Sequence, residues 1–134
     1  MDEDDFLTQP PPPPVTEDLA LVVDDVEVNR ILARAHLELL GWKVEDCDSG
    51  QRALALLHRK MPAVMLIDVR MPGLPGDELA RRIRRITGPS VLLVGYTAHC
   101  MPDDVRRIQA AGFDHVLIKP VSFGEMAAIF KRSG

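Results

Sequence analysis

Short apolar runs alternate five times with longer stretches of helical spacing, and this alternation limits the fold more than any other feature of the chain. Leu19-Ala20-Leu21-Val22-Val23 is a continuous β-prone run, as expected of a strand buried on both faces. From Glu27 to Leu40, Val28, Ile31, Leu32, Ala35 and Leu39 fall at helical spacing, and Gly41 supplies the stop. Trp42 to Cys47 alternates as a second strand. Gly50 to Arg59 then reads as a helix on Ala53, Leu54, Leu56 and Leu57, ended by Pro62. Ala63 to Ile67 is a third strand, a helix with Leu79, Ile83 and Ile86 follows, and Val91 to Val94 is a fourth strand. Pro102 to Ala111 is a helix stopped by Gly112, Val116 to Ile118 a fifth strand, and Phe123 to Phe130 the last helix. Such strict alternation implies right-handed crossovers. The expected fold is α/β, a (βα)5 doubly wound, five-stranded parallel sheet covered on both faces.

A chain of 134 residues, 46% hydrophobic and 27% charged, has the size and balance of one soluble domain. A formal net charge of −4 and the lack of a concentrated basic footprint argue against general nucleic-acid affinity. The one basic cluster, Arg81-Arg82-Ile83-Arg84-Arg85, lies in a helical pattern and reads as a solvated helix face. Residues 1–17 are acidic and then proline-rich, with Pro10 to Pro14 consecutive. They read as a disordered tail or linker, and the folded domain is expected over 18–134. The acidic start is unlike a signal peptide, and no apolar run reaches membrane-spanning length. Cys47 and Cys100 suggest neither a disulfide framework nor a metal cluster, so a cytoplasmic location is expected.

In open parallel sheets, ligands bind beyond the carboxyl ends of the strands. Asp24 and Asp25 follow the first expected strand, Asp68 the third, Thr97 the fourth and Lys119 the fifth. Singly, each has a plain explanation: an Asp there often caps the next helix, and a lone Lys is usually a surface charge. Capping does not account for all five converging on one edge. Three carboxylates so placed repel one another unless a cation lies between them, and hard oxygen donors suit Mg²⁺. With Lys119 to offset charge and Thr97 to donate a hydrogen bond, the set meets the needs of phosphoryl transfer to a carboxylate.

Asp24-Asp25, Asp68, Thr97-Ala98 and Lys119-Pro120 resemble the signature of response-regulator receiver (CheY-like) domains of two-component systems. Val22-Val23-Asp24-Asp25, Asp68-Val69-Arg70-Met71-Pro72-Gly73 and Ala110-Ala111-Gly112-Phe113-Asp114 carry the likeness over residues 18 to 131. The resemblance implies a flavodoxin-like strand order 2-1-3-4-5. It implies that Asp68 accepts a phosphoryl group from a histidine kinase or histidine phosphotransfer protein. It further implies Mg²⁺ bound by Asp25, Asp68 and the backbone carbonyl of Arg70, with Asp24 holding a coordinated water. Lys119 would pair with the phosphoryl group across a cis Lys119-Pro120 bond, and Thr97 would move toward it. A switch of the surface formed by the fourth helix, fifth strand and fifth helix follows, in a monomer or weak dimer that binds neither nucleic acid nor membrane. Such a domain catalyses only its own phosphorylation and dephosphorylation. Asp25-Val26-Glu27-Val28-Asn29-Arg30, Thr97-Ala98-His99-Cys100-Met101-Pro102 and Lys119-Pro120-Val121 are similar to receivers of hybrid histidine kinases.

Two positions depart from the family. Val116 stands where receivers commonly carry the Tyr or Phe that swings inward as the threonine moves, which puts an aromatic-coupled switch in doubt. Pro75 replaces a usual Asp or Lys in the loop after Asp68. Tyr96, just before Thr97, reads as surface packing, and His99 lies close enough to the site to influence water access. Two other readings remain: a receiver-like module that signals without phosphorylation, and a phosphatase forming an aspartyl-phosphate. The complete Asp, Thr and Lys set disfavours the first. Arg70, where a phosphatase needs an acid two residues after the nucleophile, disfavours the second.

Overall fold

The computed structural model describes residues 11–98 and 101–132. Strands β1 (Val15–Val23), β2 (Lys43–Cys47), β3 (Met61–Asp68), β4 (Leu92–Thr97) and β5 (His115–Ile118) form one parallel sheet in the order β2-β1-β3-β4-β5. Helices α1 (Glu27–Leu39), α2 (Gly50–Leu57), α3 (Gly76–Thr87), α4 (Pro102–Ala110) and α5 (Phe123–Phe130) each follow one strand. A short turn of tighter helix, Gly88–Ser90, leads from α3 toward β4. The doubly wound fold expected from the alternation is the one observed.

Strand side chains alternate between the two faces, and both faces are covered. Leu21, Val23, Met65, Ile67 and Leu93 pack with Leu57 of α2, Leu79 and Ile83 of α3 and Ile108 of α4. Ala20, Val22, Leu66, Val94 and Tyr96 pack on the opposite face with Leu37 of α1 and Met126 and Phe130 of α5. Each fully buried Leu, Ile or Phe contributes about 1.5–3 kcal/mol relative to exposure, so the two clusters hold the strand ends in fixed register. The Trp42 indole N–H donates to the Phe130 carbonyl at 2.7 Å, closing the end of α5 onto the α1–β2 turn.

Several local expectations are corrected. β1 starts at Val15, inside the stretch read as a tail. Val15 and Thr16 pair with Met61 and Pro62 before a register shift, and pairing with β3 resumes at Ala20. Glu17 and Asp18 sit at that shift, so the continuous apolar run begins only after them, at Leu19. Pro62 does not end α2 but stands second in β3, ahead of the ladder with β4 that begins at Val64, a position where a strand tolerates a missing N–H. On α1, Ala33 and Leu37 are the buried residues, whereas Val28, Ile31, Leu32 and Leu39 are exposed. Residues 1–10 of the expected tail, and His99 with Cys100, lie outside the described residues.

Arg84 is not part of a solvated face. Its guanidinium donates to the carbonyls of Gly112 (2.9 Å), Gly88 (3.0 Å) and Val91 (2.6 Å), and to the Asp114 carboxylate at 2.8 Å. The same Asp114 oxygen accepts from the Leu93 backbone N–H at 2.9 Å. One side chain therefore ties α3 to the entry of β4 and to the turn before β5. Its neighbours Arg81, Arg82 and Arg85 are exposed, as expected.

Candidate functional site

The carboxyl ends of β1, β3, β4 and β5 place the expected residues side by side. Asp24 is fully buried and Asp68 is 5% exposed, while Asp25 faces solvent. One carboxylate oxygen from each of the three lies within 4.8 Å of the others. The Lys119 ammonium reaches between the two buried acids, 3.3 Å from Asp68 Oδ2 and 3.5 Å from Asp24 Oδ2. Thr97, buried at the end of β4, accepts the Lys119 backbone N–H on its carbonyl at 2.8 Å. The Lys119–Pro120 peptide bond is cis.

Local backbone geometry aims these groups. Asp24 Oδ1 accepts the N–H of Val26 at 2.9 Å, and Asp68 Oδ1 accepts the N–H of Arg70 at 2.9 Å, each closing a tight turn two residues on. The Arg30 guanidinium donates to the Asp24 carbonyl at 2.8 Å and braces the β1–α1 turn. Gly76 accounts for the path of the loop after Asp68. Its N–H donates to the Val69 carbonyl at 3.1 Å, and a Cβ there would stand 2.6 Å from Val69 Cα. Burial pushes the Asp68 carboxyl above its ordinary pKa and the Asp24 charge adds to this, while the Arg70 N–H and Lys119 oppose it.

Tyr96 is the functional-site residue that the sequence reading placed wrongly. It is 5% exposed, and its hydroxyl donates to Asp24 Oδ2. The Lys119 ammonium lies 4.4 Å from its ring centroid, within cation–π range. Burial, then the bond to Asp24, pushes the tyrosine pKa far above its ordinary value, so the hydroxyl stays a donor. A signal was available. A strand covered on both faces buries every residue, and a buried tyrosine seeks an acceptor for its O–H.

Val116 is half-buried and pairs in register with Gly95. Beside Thr97 lies a cavity of about 320 Å³, lined also by Val69, Pro75, Asp104 and Ile108. Pro75 stands immediately before α3 with an extended backbone, where a proline fits.

Residues 20–131 match the family described as response regulator receiver domain. Over 107 residues the chain is 43% identical to the virulence sensor protein BvgS of Bordetella bronchiseptica, covering 75% of this chain and 9% of that protein. The chain thus spans a small fraction of the length of the curated relatives it matches. The receiver domain of the sensor histidine kinase PA1611 from Pseudomonas aeruginosa has a TM-score of 0.77 at 30% identity, covering 87% of this chain and 97% of that one. That structure has a magnesium ion coordinated in its active site cleft. The chemotaxis protein CheY4 of Vibrio cholerae, at 24% identity, shares the fold with a TM-score of 0.78 over 84% of this chain and 95% of that one. The family match across nearly the whole described region, with the acidic, threonine and lysine residues at the strand ends, shows that this chain belongs to the response regulator receiver domains of two-component systems and is homologous to the receivers of hybrid sensor kinases.

Proposed function

We propose that Asp68 is the phosphoryl acceptor of this receiver and that it is charged from a phosphohistidine on a histidine kinase or histidine phosphotransfer protein. One observation carries this reading: the Asp68 carboxylate lies within 4.8 Å of Asp24 and Asp25 oxygens and 3.3 Å from the Lys119 ammonium. An Asp68 oxygen forms the new P–O bond as the P–N bond to imidazole breaks, and the ring nitrogen keeps that electron pair. The three hard oxygen donors fit Mg²⁺, which Asp25, Asp68 and the Arg70 backbone carbonyl would hold, with Asp24 reached through a coordinated water. When bound, Mg²⁺ neutralises charge on the phosphoryl oxygens.

Lys119 pairs with the phosphoryl group by moving away from Asp68 Oδ2, and Thr97 donates its hydroxyl to a phosphoryl oxygen. The cavity beside Thr97 gives its loop room to shift. With Val116 in place of a ring, the shift passes to β5 through the Thr97–Lys119 backbone bond and reaches the α4–β5–α5 surface. Chemistry is confined to the domain's own phosphorylation and dephosphorylation, in a cytoplasmic monomer or weak dimer that contacts no nucleic acid. Among the described residues no helix is long and apolar enough to cross a membrane.

Incubation with Mg²⁺ and a small phosphoramidate donor tests the proposal through intact mass. The expected result is a single phosphoryl adduct that Asp68→Asn and removal of Mg²⁺ both abolish. An adduct that survives Asp68→Asn assigns the acceptor elsewhere.

A further inference from the structure

Asp24 has both oxygens engaged although no part of it reaches solvent: Oδ1 by the Val26 N–H, Oδ2 by the Tyr96 hydroxyl and more distantly by Lys119. Tyr96 enters from the α1–α5 face of the sheet, where its ring lies in the apolar cluster with Val22, Leu66 and Met126. A phenylalanine or leucine would fill that volume without burying a hydroxyl, and an unpaired buried hydroxyl is costly. The acceptor it meets is a carboxylate of the acidic cluster, not a nearby backbone carbonyl. The same ring face seats the ammonium of Lys119. One side chain thus meets two members of the site from behind, while its backbone pairs with Asp68 in the β3–β4 ladder.

We propose that Tyr96 is a positioning residue for divalent-cation binding: its hydroxyl holds the Asp24 carboxylate in the orientation the cation site requires, while its ring holds Lys119 over the acidic pair. The inference rests on the reading of Asp24, Asp25 and Asp68 as the Mg²⁺ site. Groups that orient metal-site residues from behind typically change metal affinity 10–100-fold when removed, because the residues they hold must then be ordered at the moment of binding.

Tyr96→Phe keeps the ring and the seat of Lys119 and removes the hydroxyl alone. Titration of the metal-free protein with MgCl₂ by calorimetry, without any phosphoryl donor, should show the variant binding about ten-fold or more weakly than wild type. Thermal unfolding in chelator checks that the variant is folded. Tyr96 is the only tyrosine in the chain, so its near-ultraviolet difference spectrum is a second readout. Saturating Mg²⁺ should perturb that spectrum in the wild-type protein, whatever the variant does. Equal Mg²⁺ affinity in wild type and Tyr96→Phe, or an unchanged tyrosine spectrum in a wild type that binds Mg²⁺, overturns the role of Tyr96 and leaves the metal site standing. Absence of Mg²⁺ binding by wild type overturns both.

Discussion

Cys47, the last residue of β2, lies in the cluster beneath α2, and burial pushes its thiol up to about 11. At about pH 8 the native side chain is therefore a neutral thiol, whereas the unfolded one is partly thiolate. The native protein is unpenalised below the ordinary thiol pKa and loses stability as pH rises from there toward 11. With Cys100→Ser leaving Cys47 as the single thiol, alkylation by iodoacetamide at about pH 8 should be slow in the native protein and accelerate with denaturant along the unfolding transition. Alkylation at the unfolded rate without denaturant would show the thiol to be accessible. At this same scale the ionisable residues were legible in the sequence, because the Asp24-Asp25 pair, Asp68 and Lys119 each directly follow an apolar run. For Tyr96 the sequence pointed to burial alone, because the acceptor its hydroxyl finds lies 72 residues away, beyond the reach of local pattern.

At the scale of elements, strand and helix identities were readable wherever burial set the pattern, and misread where a long-range partner did. The apolar stripe of α1 names the wrong face: the residues inside are Ala33 and Leu37, one turn apart, while Val28, Ile31, Leu32 and Leu39 point out. The arginine run on α3 hides a clamp for the same reason, since periodicity distinguishes faces but not what a guanidinium finds there. Arg84 satisfies three carbonyls and one carboxylate with a planar fork that a lysine cannot reproduce. Arg84→Lys should therefore cost about 2 kcal/mol through carbonyls and a carboxylate left unpaired. Arg85→Lys, on the exposed face of the same helix, should fall within about 0.5 kcal/mol of wild type. Urea unfolding of the two variants separates them. Equal midpoints would mean the clamp contributes nothing.

Across the whole molecule, the parallel sheet gathers the Asp24, Asp25 and Asp68 carboxylates at one edge, and this concentration works against the fold that creates it. Asp68 is held in a place that favours its neutral form, by burial first and by the Asp24 charge as well, yet the phosphoryl transfer proposed for it needs the ionised form. A group whose carboxyl pKa is raised on folding leaves the native state most favoured at low pH, and that advantage is lost as pH rises through the carboxyl range. Ionised Asp68 therefore works against stability at neutral pH, and the proposed transfer uses that ionised form. Asp68→Asn removes the buried charge and leaves Lys119 with Asp24 at 3.5 Å. In chelator at neutral pH the variant should melt a few degrees above wild type, since about 1 kcal/mol moves the midpoint by roughly 4–8 °C in a domain near this size. The gain should shrink on acidification, as protonation brings wild-type Asp68 to the same neutral state. Adding MgCl₂ should raise the wild-type midpoint by mass action and narrow the gap from the other side. A variant no more stable than wild type in chelator would mean that Lys119 and the Arg70 N–H already offset the burial of Asp68. The acidic edge would then carry no stability cost for the cation to relieve.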